Sequence, residues 1–549
     1  MAINLTKYPK TKQLIDFVQL NWDRVTGDKW SQEGARVFQE FLDAGERYGK
    51  AAAKQVLVYP SSENTKLPEK CPFVALTMAG ASKPAYAGTS LVLFPSKSGK
   101  SLVTLCLGTK GLGADAVAVG LPGHARRLTA IRSYVNKEIA NGSMWVKKNP
   151  CKIEQFDKIT TDWIATATNG ESFGPMIKTY GQYVYAVLDV SKFTNDDDLI
   201  RAFVMIFDLY MAVRGVEPLS DLQKENTMGR NVLQTAYERY IFASVDDVTI
   251  KADLEEKHYL IIEGPPGTGK TRVAEVWKKK YEKDYGPGSS MTIQFHPNMT
   301  YEQFIGGIFP EKVDEKTSGL GFRFSAKPGY LMRAAKKARD LGDSKKFLLH
   351  IDEINRADLS RVLGEAVYLL EVDADKGVGA RRKINLDHDF GDWCEKDGDQ
   401  PVFSIPDNLY IIGTMNSSDR SIAPIDIAIR RRFAFERLYP QIGVIVDIPV
   451  ASGGQKQTSA VFSDEAEKQF AIKAFQDLIG IFIDYATEES FNYIPGHSYF
   501  LPDKNGKVKN RIRTGVLPLL REYLDKGMVS SMATMVENYI MTYEALVRV

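Results

Sequence analysis

Paired cysteines are missing from this chain. Its 549 residues hold four, Cys71, Cys106, Cys151 and Cys394, widely scattered, with no C-x-x-C pair and no histidine spaced for zinc. Neither a disulfide framework nor a structural zinc site is expected, and the thiols read as reduced and structural. Long apolar runs are missing too, since nothing approaches the roughly 18–20 residues needed to span a bilayer. The opening MAINLTKYPKTKQ lacks the apolar core of a signal peptide, so a cytoplasmic protein without membrane contact is expected. A large net charge is absent as well: the balance is +2. No nuclease constellation stands out. Glu255-Glu256-Lys257 sets carboxylates beside a lysine, but no metal-binding aspartate precedes them in a hairpin. They read as solvated, and any DNA cleavage belongs to a separate subunit.

What is present is an ordinary globular composition, 44% hydrophobic and 26% charged. The length exceeds what one core fills, and predicts about three or four domains. Charge is unevenly spread: residues 51–150 carry 13 Lys and Arg against 4 Asp and Glu, whereas 151–200 carry 4 Lys against 8 acids. A basic segment of this kind suits nucleic acid, and equally a solvated face.

The periodicity predicts helices over 14–22 and 31–54, with Ser31 as cap of the second. Short β-branched and aromatic runs at 72–76, 90–94, 102–107 and 183–190, separated by Gly, Pro and Ser, predict a sheet. A helix over 195–213 closes this α+β module, capped at Thr194 or Asn195, and the turn-rich 215–221 ends it. Residues 222–243 read as mostly helical. Tyr86, His124, Arg126, Arg127, Arg132 and Trp145 offer the charge and stacking surface a DNA reader needs. The same tyrosine and tryptophan are also ordinary core candidates.

The most informative stretch is IIEGPPGTGKT, residues 261–271. An apolar run predicts a buried strand that feeds Gly264, Pro265, Pro266, Gly267, Thr268 and Gly269, whose backbone can curl and turn its N–H groups inward. Lys270 then brings a charge to β- and γ-phosphates, Thr271 a hydroxyl to Mg²⁺, and a helix over 272–280 presents its positive end. This is a Walker A motif.

About eighty residues on, a second apolar strand (346–351) ends in Asp352 and Glu353. This Walker B pattern assigns Asp352 to Mg²⁺ and Glu353 to the attacking water. His350, in that strand, reads as a core histidine. A third strand, 409–414, is expected between the other two and leads to Asn416, whose amide can meet the γ-phosphate or the water. Arg430, Arg431 and Arg432 follow at a helix end, and an arginine donated into a neighbouring subunit's site would stabilise transition-state charge. Each isolated subunit would then have an incomplete site, so an oligomer is expected. Residues 372–406 read as an insertion with a hairpin loop at 377–383. Residues 441–549 read as helices (464–482, 508–526, 532–549) forming a lid, from which Arg511 or Arg513 can reach a phosphate.

In order and spacing, the P-loop, DEINRA (352–357), MNSSDRS (415–421), RRRF (430–433) and GHSYF (496–500) resemble the AAA+ subunit of McrBC-type restriction systems. So do Gln294-Phe295-His296 and Tyr301-Glu302-Gln303-Phe304-Ile305. The likeness runs over roughly 240–545, with Ser417-Ser418 in place of the family's usual Thr-Ala. It implies an α/β AAA+ fold, a P-loop NTPase core (216–440) with a C-terminal helical lid (441–549), preceded by the α+β N-terminal domain (1–215). That domain loosely resembles the module found upstream of McrB-type subunits, which implies target recognition. The resemblance further implies Asn416 positioning water, Asp419 supporting it, Arg430 to Arg432 at a subunit interface, GTP or ATP as substrate with Mg²⁺, and a hexameric ring. A McrC-like nuclease and DNA, modified or unmodified, are the implied partners in anti-phage restriction. Two other readings compete: a MoxR-like ATPase remodelling a protein client without DNA, and an N-terminal region serving assembly alone.

Overall fold

Residues 7–20, 27–61, 71–79, 88–96, 100–108, 114–147, 176, 180–219, 231–312, 322–371, 382–419, 425–450 and 461–548 are described by the computed structural model. They fall into two compact units, one of Met1–Phe242 with Ile483–Tyr485, the other of Ala243–Phe482 with Ala486–Val549.

The first unit is built on six strands, β1 (Val56–Pro60), β2 (Val74–Met78), β3 (Thr89–Pro95), β4 (Ser101–Leu107), β5 (Met144–Val146) and β6 (Val184–Asp189). They pair antiparallel in the order β1-β2-β3-β4-β6-β5. Besides a short helix at Ala114–Gly120, its helices are α1 (Pro9–Gln19), α2 (Gly27–Ala44), α3 (Pro122–Tyr134), α4 (Asp196–Ala212) and α5 (Asn231–Tyr240). α2 begins four residues before Ser31, which is therefore interior and caps nothing; the helix ends where Gly45 turns to φ +68°, and a separate 3-10 turn follows at Lys50–Lys54. Asn195 caps α4 by accepting from the Asp198 amide at 2.9 Å. In its interior Asp208 takes the Arg47 guanidinium at 2.8 and 2.5 Å and the Tyr48 hydroxyl at 2.5 Å, all three side chains being buried.

The second unit carries the parallel sheet. Its strands β7 (Tyr259–Gly264), β8 (Ser290–Gln294), β11 (Phe347–Asp352), β15 (Leu409–Asn416) and β16 (Ala434–Arg437) run in the order β16-β7-β15-β11-β8. Side chains alternate between two cores. Leu260, Ile262, Leu348 and Ile412 face one, with Ala274 and Trp277 of the P-loop helix α7 (Lys270–Tyr285); Tyr259, Ile261, Leu349 and Ile411 face the other, with Leu331 and Ala335 of α8 (Tyr330–Leu341). α6 (Asp247–Lys257) precedes the sheet and holds Glu255, Glu256 and Lys257 in its last turn, so they lie on a helix.

Two small sheets interrupt the alternation: the hairpin β9 (Gly306–Lys312) with β10 (Phe322–Pro328), and β12 (Ile384–Asn385), β14 (Gln400–Phe403) and β13 (Glu395–Asp397) in the order β12-β14-β13. The expected loop at 377–383 lies mostly outside the described residues. α9 (Leu359–Leu363) gives way to a 3-10 turn, Gly364–Leu370, where Gly364 adopts φ +51°. α10 (Ile427–Arg430) ends on the first residue of the arginine run, with Arg431 as its C-cap. The lid contains α11 (Glu465–Tyr485), α12 (Leu517–Asp525) and α13 (Ala533–Val547). A π-turn at Ile512–Val516 precedes α12, next to Pro518, which has no N–H for the usual bond.

Among the described residues the cysteines Cys71, Cys106 and Cys394 are free, and burial pushes the Cys71 and Cys106 thiols up to about 12. Cys151 lies outside them. No helix among the described residues is long and apolar enough to cross a membrane.

Candidate nucleotide site

At the carboxyl end of β7 the chain turns through Gly267 (φ +80°) and Gly269 (φ +87°), conformations that a side chain would strain, and enters α7 at Lys270. The turn is held by the Thr268 hydroxyl donating to the Pro265 carbonyl at 2.9 Å. Lys270 is buried and its ammonium donates to the Gly264 and Pro265 carbonyls at 2.9 Å each. Burial pushes this lysine down to about 8, against the pull of Glu353 and Asp352. The carbonyls hold its charge at the mouth of the loop, where phosphate oxygens are the stronger acceptors.

Asp352 ends β11, and its Oδ1 accepts from the Thr271 hydroxyl at 3.2 Å and from the Thr414 hydroxyl at 2.5 Å. Thr414 is a buried residue of the third strand, two residues before Asn416, that sequence reasoning passed over. Thr271 and Asp352 therefore meet as two hard oxygen donors. Among the described residues no group of three or more His, Cys, Asp or Glu is placed to hold a metal. Two protein oxygens suit Mg²⁺, which is normally completed by phosphates and water.

Glu353 follows in a left-handed conformation, φ +53°, uncommon for a residue with a Cβ. It turns the carboxylate toward β15, where the Asn416 amide donates to it at 3.0 and 3.2 Å; Arg356 Nε lies 3.3 Å from Glu353 Oε2. β15 does lie between β7 and β11, and pairing of Asn416 with Gly264 sets the amide beside the P-loop. The Asn355 amide donates to the Asn416 carbonyl at 3.2 Å, and the Ser417 amide to the Gly264 carbonyl at 3.0 Å. Asp419 closes the described stretch; Arg420 and Ser421 lie beyond it. His350 is 1% exposed, with burial holding its imidazole below the usual range, as a core histidine should be.

The lid reaches the P-loop through residues 496–500. The Gly496 amide donates to the Pro266 carbonyl at 2.9 Å and the Ser498 amide to the Gly267 carbonyl at 3.0 Å. Nothing larger than glycine fits at 496, because a Cβ there would sit 2.0 Å from the Gly267 carbonyl carbon. His497 accepts the Gln441 amide at Nδ1, 3.2 Å away, and burial pushes it down to about 4. Arg511 donates to the Ser498 carbonyl at 3.0 Å and Arg513 to Asn510 Oδ1 at 2.7 Å. Sequence reading registered this segment only as part of a family signature.

The three arginines differ. Arg432 is turned inward, donating to the Ala428 carbonyl and lying 3.2 Å from Glu371, with 11% of its side chain exposed. Arg430 is exposed and sits over the Phe435 ring at 4.8 Å; Arg431 is exposed, with no side-chain hydrogen bond or ion pair among the described residues.

Within the first unit, His124 is buried rather than displayed, and Trp145 packs against the aromatic core of Tyr59, Phe73, Phe94 and Tyr180. These two are not a ready stacking surface. Arg126, Arg127 and Arg132 lie half-buried on α3, and Tyr86 falls outside the described residues.

The AAA domain (dynein-related subfamily) matches residues 259–433, from the first residue of β7 to just before β16. The chain is 30% identical over 365 residues to the Type IV methyl-directed restriction enzyme EcoKMcrB subunit of Escherichia coli (strain K12), covering 63% of this chain and 71% of that protein. It is 31% identical over 198 residues to the Type II restriction enzyme BsuMI component YdiS of Bacillus subtilis (strain 168), covering 32% of this chain and 56% of that protein.

Proposed function

We propose, from the premise that this chain belongs to the McrB-type AAA+ subunits of restriction systems, that it is the nucleotide-driven motor of such a system. It hydrolyses GTP or ATP with Mg²⁺, recognises DNA through its N-terminal domain and drives a McrC-like nuclease carried on another chain. The observation that carries the reading is the convergence of Lys270, Thr271, Asp352, Glu353 and Asn416 at the carboxyl ends of three adjacent parallel strands. Ligands bind at this edge of open α/β sheets.

In this reading the P-loop amides and Lys270 hold the β- and γ-phosphates, and Thr271 and Asp352 hold Mg²⁺, which neutralises charge on the transferring group when bound. Glu353 orients the attacking water, and Asn416 fixes the carboxylate and meets the γ-phosphate, with Asp419 in support. Phosphoryl transfer asks little of a protein beyond such placement and charge. The remaining charge comes from a neighbouring copy in a ring, a hexamer by family resemblance. Arg430 or Arg431 supplies it, because Arg432 is engaged inside its own subunit.

The excess of Lys and Arg in 51–150 supports DNA recognition by the N-terminal domain, and preference for GTP over ATP follows the family resemblance. Both named relatives are restriction-enzyme components, which weighs against a MoxR-like remodelling ATPase. The test is hydrolysis of GTP and ATP side by side, with and without a McrC-like nuclease and modified DNA. Turnover stimulated by nuclease and DNA supports the proposal; ATP turnover indifferent to both contradicts it.

A further inference from the structure

Glu371 stands at the end of the 3-10 turn Gly364–Leu370, and one of its oxygens, Oε2, receives two guanidinium groups: Arg382 at 2.6 Å and Arg432 at 3.2 Å. Arg382 lies two residues before β12 and over the Tyr368 ring at 4.3 Å. Arg432 follows α10, donates to the Ala428 carbonyl of that helix, and is the most enclosed of the three, 11% exposed against 40% for Glu371 and 24% for Arg382. The small β12-β14-β13 sheet and the arginine helix thus share one carboxylate.

Take that carboxylate away and two like charges face each other across a few ångströms, with Arg432 Nε buried and already without a hydrogen-bond partner among the described residues. The shift needed to relieve this falls on α10, four residues long and held at its start by Asp426, whose carboxylate accepts the Ala428 amide at 2.9 Å. Arg430 and Arg431 move with it.

We infer that Glu371 is a positioning residue for the arginines that act on the neighbouring subunit: by anchoring Arg432 it sets how Arg430 and Arg431 are presented, and through Arg382 it links that presentation to the β12-β14-β13 sheet. The inference rests on the ring with an arginine in trans proposed above. Glu371 touches no nucleotide, so its loss should lower kcat by between about tenfold and a hundredfold, the range for a misplaced catalytic group, with KM little changed.

Subunit mixing tests this. Full-length Glu371→Ala and the isosteric Glu371→Gln are assayed alone and with excess Glu353→Gln subunits, which do not hydrolyse but carry intact arginines; the double variant Arg430→Ala with Arg431→Ala is the reference. A Glu371-variant subunit keeps its own site and lacks only a well-presented arginine to give. Both Glu371 variants should therefore be slow alone and recover severalfold in the mixture, as the reference does. Wild-type turnover by the Glu371 variants alone, or no recovery where the reference recovers, overturns the inference. If the reference itself does not recover, the trans-arginine reading fails and the inference falls with it.

Discussion

The side-chain amide of Asn416 donates to both carboxylate oxygens of Glu353, at 3.0 and 3.2 Å. Asn416 ends β15 and Glu353 directly follows the adjacent parallel strand β11; the two lie 63 positions apart in the chain, so only the sheet brings them together. In the proposed function Glu353 orients the attacking water and Asn416 fixes that carboxylate. Asn416→Ala should lower kcat by about a hundredfold, the usual cost of one well-placed donor, with nucleotide affinity nearly unchanged. Steady-state hydrolysis beside a nucleotide-binding titration checks this, and a parallel loss of affinity would instead make Asn416 a binding residue.

Gly496→Ala should separate lid from P-loop. Its Cβ would lie 2.0 Å from one backbone atom and 2.1 Å from another, and no side-chain rotation relieves backbone. A destabilisation of about 1–3 kcal/mol is expected, as for overpacked sites. Nucleotide affinity should fall with it, because the carbonyls of Pro266 and Gly267 lose their partners. Thermal unfolding with and without nucleotide reads both effects.

His497 gives the second unit an acid-sensitive point. Burial, reinforced by Arg272, takes its pKa from 6.5 down to about 4. The unfolded chain therefore binds the proton before the folded one does, and the stability present above pH 6.5 is lost as pH falls through 6.5 toward 4. The difference corresponds to about 3 kcal/mol. Melting followed from pH 7 to pH 4.5 should fall less steeply for His497→Asn, which keeps an acceptor for the Gln441 amide and does not titrate. An unchanged slope would contradict the assignment.

The Arg47–Asp208 pair should govern the first unit alone. Removing one partner of a buried, hydrogen-bonded pair costs about 3–5 kcal/mol. Asp208→Ala strips the partner from both Arg47 and Tyr48. Calorimetry should show an early transition for the N-terminal unit, with basal hydrolysis by the second unit retained.

Much of the nucleotide site was legible because phosphate chemistry constrains sequence tightly. A buried parallel strand must run into glycine, lysine and threonine, and Asp352 must end another such strand, so chain order alone located the parts. The α+β character of the first unit also followed from its short β-branched runs, although α2 begins before Ser31 and breaks at Gly45. The β9–β10 hairpin was not legible: Phe324 is 66% and Ile308 44% exposed, so its apolar residues face outward and give no core periodicity. The β12-β14-β13 strands are two to four residues long, too short for a pattern. Thr414 on Asp352, Gly496 on Gly267 and the double use of Glu371 are long-range contacts, with no local signal in spacing. Arg432 differed from its two neighbours only once its partners were seen.

The measurement that tests the central claim most directly is turnover and nucleotide retention by Glu353→Gln, with GTP and with ATP. If Glu353 orients the water, the variant should bind Mg²⁺–nucleotide as the parent chain does, hold it unhydrolysed, and turn over slower by about a thousandfold. Hydrolysis within about twofold of the parent would contradict the account, because no position-dependent role of this carboxylate survives exchange for an amide at that rate.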